Sequence, residues 1–313
     1  MAETGPESSE MIRLVGHGDA MGSTFSVVLY GQDRAEMDAA IDAAFAEVAR
    51  LDALLSNYRA KSEWSEVNRR AAVEPVQVSP ELFQLLSFCL ATSRASEGAF
   101  DIAVGPLMKL WGFYKGSGRL PSRAEVDSVL PRVGYGHVHL DAESQTVRFD
   151  RAGVELDPGG IGKGYAVDCM VEILRRRGFQ TAFVAGSEST VYGMGAPPEE
   201  PRGWRVGIKD PRNRRRTVDE VFLNDASLST SGSTEKFFRA EGGVYCHIMD
   251  PRTGFPAEAS GSVSVIAPHA IDGEAWAKPY FIQGREWTAM HKLEEFRVCF
   301  CDDRTGEPCA WLA

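Results

Sequence analysis

Asp157-Pro-Gly-Gly-Ile-Gly-Lys-Gly-Tyr165 is a glycine-bearing turn that runs straight into a helix from Gly164 to Arg177, which Gly178 stops. The stretch beyond that glycine decides the fold class. Short apolar or alternating runs succeed one another at Thr181 to Ala185, Trp204 to Ile208, Val218 to Leu223, Tyr245 to Met249 and Ser262 to Ile266. A late helix, Glu274 to Ile282, precedes closing strands at Phe296 to Cys301 and Cys309 to Leu312. Upstream, a strand pair has Thr24 to Tyr30 as its clearest member. A long helix, Arg34 to Leu55, places Met37, Ile41, Phe45, Val48 and Leu51 on one face. Ser79-Pro80 opens a second helix, and Val138 to Leu140 with Thr146 to Phe149 form a small hairpin. Strands that cluster after helices, rather than alternating with them, give an α+β fold of mixed sheets with packed helices. Residues 1–10 read as a loose tail and 11–313 as a single domain.

Composition narrows the function classes. The chain has 34 basic and 44 acidic residues, a formal charge of −10, so an acidic mean field opposes nucleic acid as the main partner. Glycine, at 31 of 313, exceeds the roughly 7% average, which points to places where backbone turns tightly or approaches a ligand. The start, MAETGPESSEM, has neither the basic residues nor the apolar run of a secretory signal, and no window suits a membrane span. The chain as written is therefore expected in the cytoplasm. Six cysteines are too scattered for a disulfide framework. Cys299 and Cys301 alternate on one strand face, and reduced core thiols are expected there in preference to a metal site completed by Cys309. The run from Arg202 to Arg216 holds seven basic residues and one acid and reads as a solvated loop.

Three segments carry chemical signal. The Asp157 to Tyr165 turn offers backbone amides at a helix start with Lys163 beside them, which is an anion site in physical terms. Its spacing matches neither a Walker loop nor Gly-x-Gly-x-x-Gly, so it is equally readable as a tight turn. In Cys246-His247-Ile-Met-Asp250-Pro-Arg-Thr-Gly254, a strand delivers an imidazole to a turn, where it is placed to accept a proton or simply to bond within the core. Phe100 to Phe113 sets Trp111 and Phe113 around Gly112, suited to stacking on a flat ring or to ordinary core.

Together the motifs MGSTF (Met21 to Phe25), SNYRAKSEWSEVN (Ser56 to Asn68), FDIAVGPLMKLWGF (Phe100 to Phe113), DPGGIGKGYAVD (Asp157 to Asp168), STSG (Ser229 to Gly232) and HIMDPRTGFP (His247 to Pro256) resemble, in order and spacing, the ApbE family of FAD:protein FMN transferases. The resemblance covers about residues 12–313 and implies the ApbE-like, T-fold-like architecture. Members of that family split FAD with the help of magnesium and join the FMN half, through a phosphoester, to a Ser or Thr hydroxyl of a target flavoprotein. Some members hydrolyse FAD to FMN and AMP.

Residue by residue, the resemblance implies that Met21, Tyr58, Trp111, Gly112 and Phe113 wall the flavin and adenine pockets. Asp157 and Lys163 would contact FAD, and the Gly160 carbonyl would sit at the backbone metal-ligand position. His247 would be the general base. Two departures stand out. Where the family has an Asp and, four residues on, a Thr in its late metal-binding helix, this chain has Glu274 and Lys278, or Asp272 and Trp276 in an alternative register. Glu274 keeps a hard oxygen ligand on a longer arm, so the resemblance implies magnesium here with an altered ligand set, but a protonated lysine cannot coordinate it, and Glu274 and Lys278 are spaced to pair on one helix face. Ser187 stands where the family usually has a second glycine. The chain is accordingly expected to be an FMN transferase acting on FAD and a target flavoprotein; the alternative is an FAD-binding module or carrier without transfer, and a weaker alternative is an FAD pyrophosphatase giving FMN and AMP. Family members that act outside the cytoplasm carry a signal or lipoprotein sequence, so a chain trimmed of one would be periplasmic.

Overall fold

The structure is a computed structural model that describes residues 11–115, 118–233, 236–258, 261–301 and 309–312. The expected tail at 1–10 lies outside the described residues. The helices in chain order are α1 (Arg34–Leu55), α2 (Glu63–Arg70), α3 (Pro80–Ala95), α4 (Gly105–Leu110), α5 (Arg123–Val129), α6 (Gly162–Arg176) and α7 (Ala270–His291). Among the described residues the largest sheet has eight strands, in the spatial order Ile12–Ala20, Ser23–Gly31, Ala182–Gly186, Thr190–Met194, Ala226–Gly232, Ser262–Ala267, Arg297–Cys301 and Ala310–Trp311. Every neighbouring pair in it is antiparallel. The first two strands close on residues from the middle of the chain, which is the α+β arrangement expected.

Helices α1 and α6 cover one face of this sheet through Met37, Ile41, Val48 and Leu51 on α1 and Val167, Met170 and Leu174 on α6. Asp33 caps α1, its carboxylate accepting from the Ala35 and Glu36 amides at 2.8 and 3.0 Å. Ser79 caps α3 ahead of Pro80, as its sequence predicts. Beside this layer, α2, α3 and a three-stranded sheet containing the Val138–Asp141 and Thr146–Phe149 hairpin enclose a second core. Helix α7 packs its Trp276, Tyr280 and Phe281 on the strands Ser262–Ala267 and Arg297–Cys301.

Several expectations need correction. The strands expected at Trp204 to Ile208 and Val218 to Leu223 form, but the basic run read as a solvated loop is part of the hairpin they make, Trp204–Asp210 with Asn213–Leu223, whose Ile208, Val221 and Leu223 pack beneath the main sheet while its arginines face water. The strand expected from Tyr245 to Met249 is broken, with Gly243–Cys246 and Met249–Asp250 on either side of His247 and Ile248. The late helix is longer at both ends and breaks its helical backbone at Gly284, φ 82°. The pairing of Cys299 with Trp311 and Phe300 with Ala310 sets Cys301 opposite Cys309, and these two form a disulfide. Cys299 stays a buried thiol.

Candidate active site

The start of α6 and the start of α7 are locked together, and that junction builds the floor of the site. His269, at the cap position of α7, makes no side-chain cap. Asp168 of α6 caps the helix from across the interface, its two oxygens accepting from the Ala270 and Ile271 amides at 2.7 and 2.9 Å. A β-carbon on Gly164 would stand 2.5 Å from the Ala270 carbonyl oxygen, so only glycine permits this approach. The two helices thereby bring Lys163 against Glu274. The Glu274 carboxylate accepts from Lys163 Nζ at 2.7 Å and from the Gly164 amide at 2.6 Å.

Glu274 is 4% exposed. Burial pushes its pKa up, but Lys163, Lys278 and the Gly164 amide outweigh burial and hold it below the usual carboxylate range. Lys278, one turn further along α7, reaches the Gly160 carbonyl oxygen and the Glu274 backbone carbonyl oxygen, both at 2.9 Å. The helix-face pair expected between Glu274 and Lys278 is thus realised differently. The carboxylate turns to Lys163, and the ammonium of Lys278 bridges two backbone carbonyls.

Above this floor lies a cavity of about 400 Å³ lined by Met21, Tyr58, Phe113, Tyr114, Asp157, Gly159, Gly160, Lys163, Ser187, Lys236, His247 and Lys278, among others. Seven of the residues proposed from sequence therefore share one hollow with Gly160. Trp111 and Gly112 do not line it. Trp111 is fully buried, donates from its indole to the Gly254 carbonyl at 3.0 Å and packs on Phe238, Tyr245 and Phe255. It anchors the turn behind His247, and Phe113 is the member of that segment that faces the cavity.

At the rim, Tyr58 is 75% exposed, sets its ring edge-on to Tyr114 and donates to the Tyr114 carbonyl at 3.2 Å. Asp157 accepts from the Gly159 amide at 2.8 Å and from Asn57 Nδ2 at 3.3 Å, and burial raises its pKa. Sequence reasoning does not single out Asn57, Tyr114 or Lys236. Asn57 and Tyr114 each adjoin a residue that it does, Tyr58 and Phe113, while Lys236 is distant in sequence from every motif but STSG and has no local signal.

His247 enters from the break between two short strands. Its Nδ1 lies 3.2 Å from the Lys236 carbonyl oxygen. A carbonyl can only accept, so Nδ1 carries the hydrogen and Nε2 is left as an acceptor. Burial, with Lys278, lowers its pKa to about 4. The ring is therefore neutral near pH 7, the state a proton acceptor needs. Ser187 lies across the cavity in left-handed backbone, φ 61°, with its Oγ 3.2 Å from Ser189 Oγ.

The position at which the resemblance puts magnesium does not fit a divalent ion in this chain. The Gly160 carbonyl is engaged by an ammonium, both Glu274 oxygens are engaged, and the third position is that ammonium itself. Among the described residues a Glu47, Glu81 and Cys169 cluster has metal-compatible spacing, but Arg50 pairs with both carboxylates and Tyr165 donates to Glu81. It reads as an ion-pair cluster.

A glycine turn with Lys163 and an imidazole line one cavity on a mixed α+β scaffold. The ApbE family model matches residues 21–300, and the chain belongs to that family. It is 33% identical over 286 residues to the FAD:protein FMN transferase of Klebsiella pneumoniae (strain 342), covering 90% of this chain and 86% of that protein. The FAD:protein FMN transferase of Treponema pallidum (strain Nichols) is 33% identical over 266 residues, covering 80% of this chain and 73% of that one. The crystal structure of the ApbE protein of Thermotoga maritima superposes with a TM-score of 0.86 at 29% identity, covering 96% of each chain.

Proposed function

We propose that this protein is an FAD:protein FMN transferase that moves the FMN half of FAD onto a Ser or Thr hydroxyl of a target flavoprotein. The observation that carries the reading is the juxtaposition of His247, neutral and with Nε2 available, with the Asp157 to Lys163 turn in one cavity. Relatives that bear the transferase name over most of the chain supply the substrate class.

In this reading Tyr58, Phe113 and Met21 hold the flavin and adenine rings, and Lys163 with the Gly159-Gly160 turn faces the pyrophosphate. His247 Nε2 takes the proton of the acceptor hydroxyl as its oxygen bonds to the FMN phosphorus. The bond from that phosphorus to the bridging oxygen breaks, and the electron pair leaves with AMP. Magnesium belongs to the family's chemistry, but no step runs through it in this chain because Lys278 holds its place. The Cys301–Cys309 disulfide favours the periplasmic alternative over the cytoplasm, since such bonds persist in oxidising compartments. Among the described residues, no helix is long and apolar enough to cross a membrane.

Product analysis after incubation with FAD and a flavoprotein fragment bearing an acceptor Ser or Thr tests the reading. Fragment carrying FMN, with AMP released, supports transfer. Free FMN with AMP would instead make the protein a pyrophosphatase, and intact FAD retained by the protein would make it a carrier.

A further inference from the structure

Displacement of AMP from the FMN phosphorus by a hydroxyl oxygen develops negative charge on the leaving oxygen, which a facing cation stabilises. In this chain that cation is built in. Lys278 Nζ is held at 2.9 Å from the Gly160 carbonyl oxygen and 2.9 Å from the Glu274 carbonyl oxygen, and it lines the cavity beside Lys163 and His247. Magnesium binds oxygen ligands at about 2.0–2.1 Å in near-octahedral geometry, which requires carbonyl and carboxylate lone pairs turned toward one point. Here those lone pairs already serve two ammonium groups and a backbone amide. A divalent ion placed among them would also stand against the two positive charges of Lys163 and Lys278.

We infer that Lys278 replaces the divalent ion: its ammonium neutralises the pyrophosphate, so that this chain binds and cleaves FAD without a metal. The inference rests on the transferase reading for its chemistry, but its metal arm stands apart from it. The acceptor oxygen bonds to the FMN phosphorus, the bridging P–O bond breaks, and His247 holds the acceptor proton. Lys278 keeps its own proton throughout, stabilises the departing AMP oxygen electrostatically, and forms no covalent bond.

The test uses full-length protein stripped with a chelator and titrated with Mn2+ alone and with FAD, the bound ion being read by electron paramagnetic resonance. Wild type is expected to leave the Mn2+ spectrum that of the free ion, whereas Lys278→Thr gains a bound-ion spectrum. In chelator, wild-type release of AMP from FAD in the presence of acceptor fragment is expected to stay within about twofold of its rate with magnesium. Lys278→Thr should lose about 10²–10³ in chelator, the scale of removing one electrostatic contact, and recover when magnesium is added.

Tight Mn2+ binding by wild type overturns the inference, as does loss of its AMP release in chelator. The wild-type titration decides the metal question even if the variant does not fold. Failure of the transferase reading looks different: no FMN reaches the fragment under any condition, while the Mn2+ titration still gives its answer.

Discussion

The ammonium of Lys278 lies 2.9 Å from the carbonyl oxygen of Gly160, across the junction between the α6 turn and α7. This bond ties the glycine turn to the helix that carries Glu274 and fixes a positive charge beside His247. The low pKa of His247 follows from burial and from that neighbour, so the base and the built-in cation are electrostatically linked.

His247→Ala is expected to lower FMN transfer by about 10²–10⁴, the usual range for losing a positioned proton acceptor, with FAD still bound. Unchanged labelling of the acceptor would remove His247 from the mechanism. The pH dependence carries a sign. With a folded pKa of about 4 against an ordinary value of 6.5, His247 stays neutral throughout the physiological range, and its acid limb in a rate profile should fall near pH 4. The unfolded chain takes up this proton first. Stability from this group is therefore complete above 6.5 and is lost as pH drops from there toward about 4, which a urea titration at several pH values would read.

Ser187 occupies left-handed backbone without being glycine. Ser187→Gly should raise stability by about 1 kcal/mol, the strain that a side chain carries there, visible as a higher denaturation midpoint. If its hydroxyl also donates to a phosphate, the same variant binds FAD more weakly. A fluorescence titration of FAD separates the two effects.

Trp111 and Phe113, two residues apart, should fail in different ways. Trp111→Ala removes a fully buried ring and its bond to Gly254, with an expected cost of about 3–5 kcal/mol in chemical denaturation. Phe113→Leu should leave stability within about 1.5 kcal/mol and raise the KM for FAD, because its ring faces the cavity.

The Cys301–Cys309 disulfide closes a loop with a sequence separation of 8 and joins the last two strands of the main sheet. By loop-closure entropy its reduction should cost about 2–3 kcal/mol. Thermal melts with and without dithiothreitol check this, and an unchanged midpoint would mean that the bond contributes nothing to the folded state.

Sequence patterns reveal the elements that have strong local signals. Helix α1 has both its capping aspartate and a 3.6-residue apolar period, and its expected bounds hold at both ends. The strands Thr190–Met194 and Ala226–Gly232 escape the pattern because they are largely buried on both faces and rich in Ser, Thr and Gly, which removes the alternation that marks a strand. The basic hairpin is partly legible: Trp204 to Ile208 and Val218 to Leu223 read as strands, while the charged residues between them suggest a loop; Ile208, Val221 and Leu223, with the Trp204 indole donating to the Met194 carbonyl at 3.2 Å, help hold it to the sheet. In the site, His247, Asp157 and Lys163 of the motifs and Lys278 of the late helix line one cavity. Helical spacing alone does not tell that Lys278 bonds to Gly160 across the α6–α7 junction, because a partner distant in sequence sets the direction of its side chain.

The mass of an acceptor flavoprotein fragment after incubation with this protein and FAD shows whether FMN is transferred. A transferase yields a fragment heavier by one FMN moiety, one AMP released for each fragment labelled, and no gain when the acceptor Ser or Thr is replaced by Ala. A fragment of unchanged mass, whether FAD stays intact or is cleaved to free FMN and AMP, would contradict transfer.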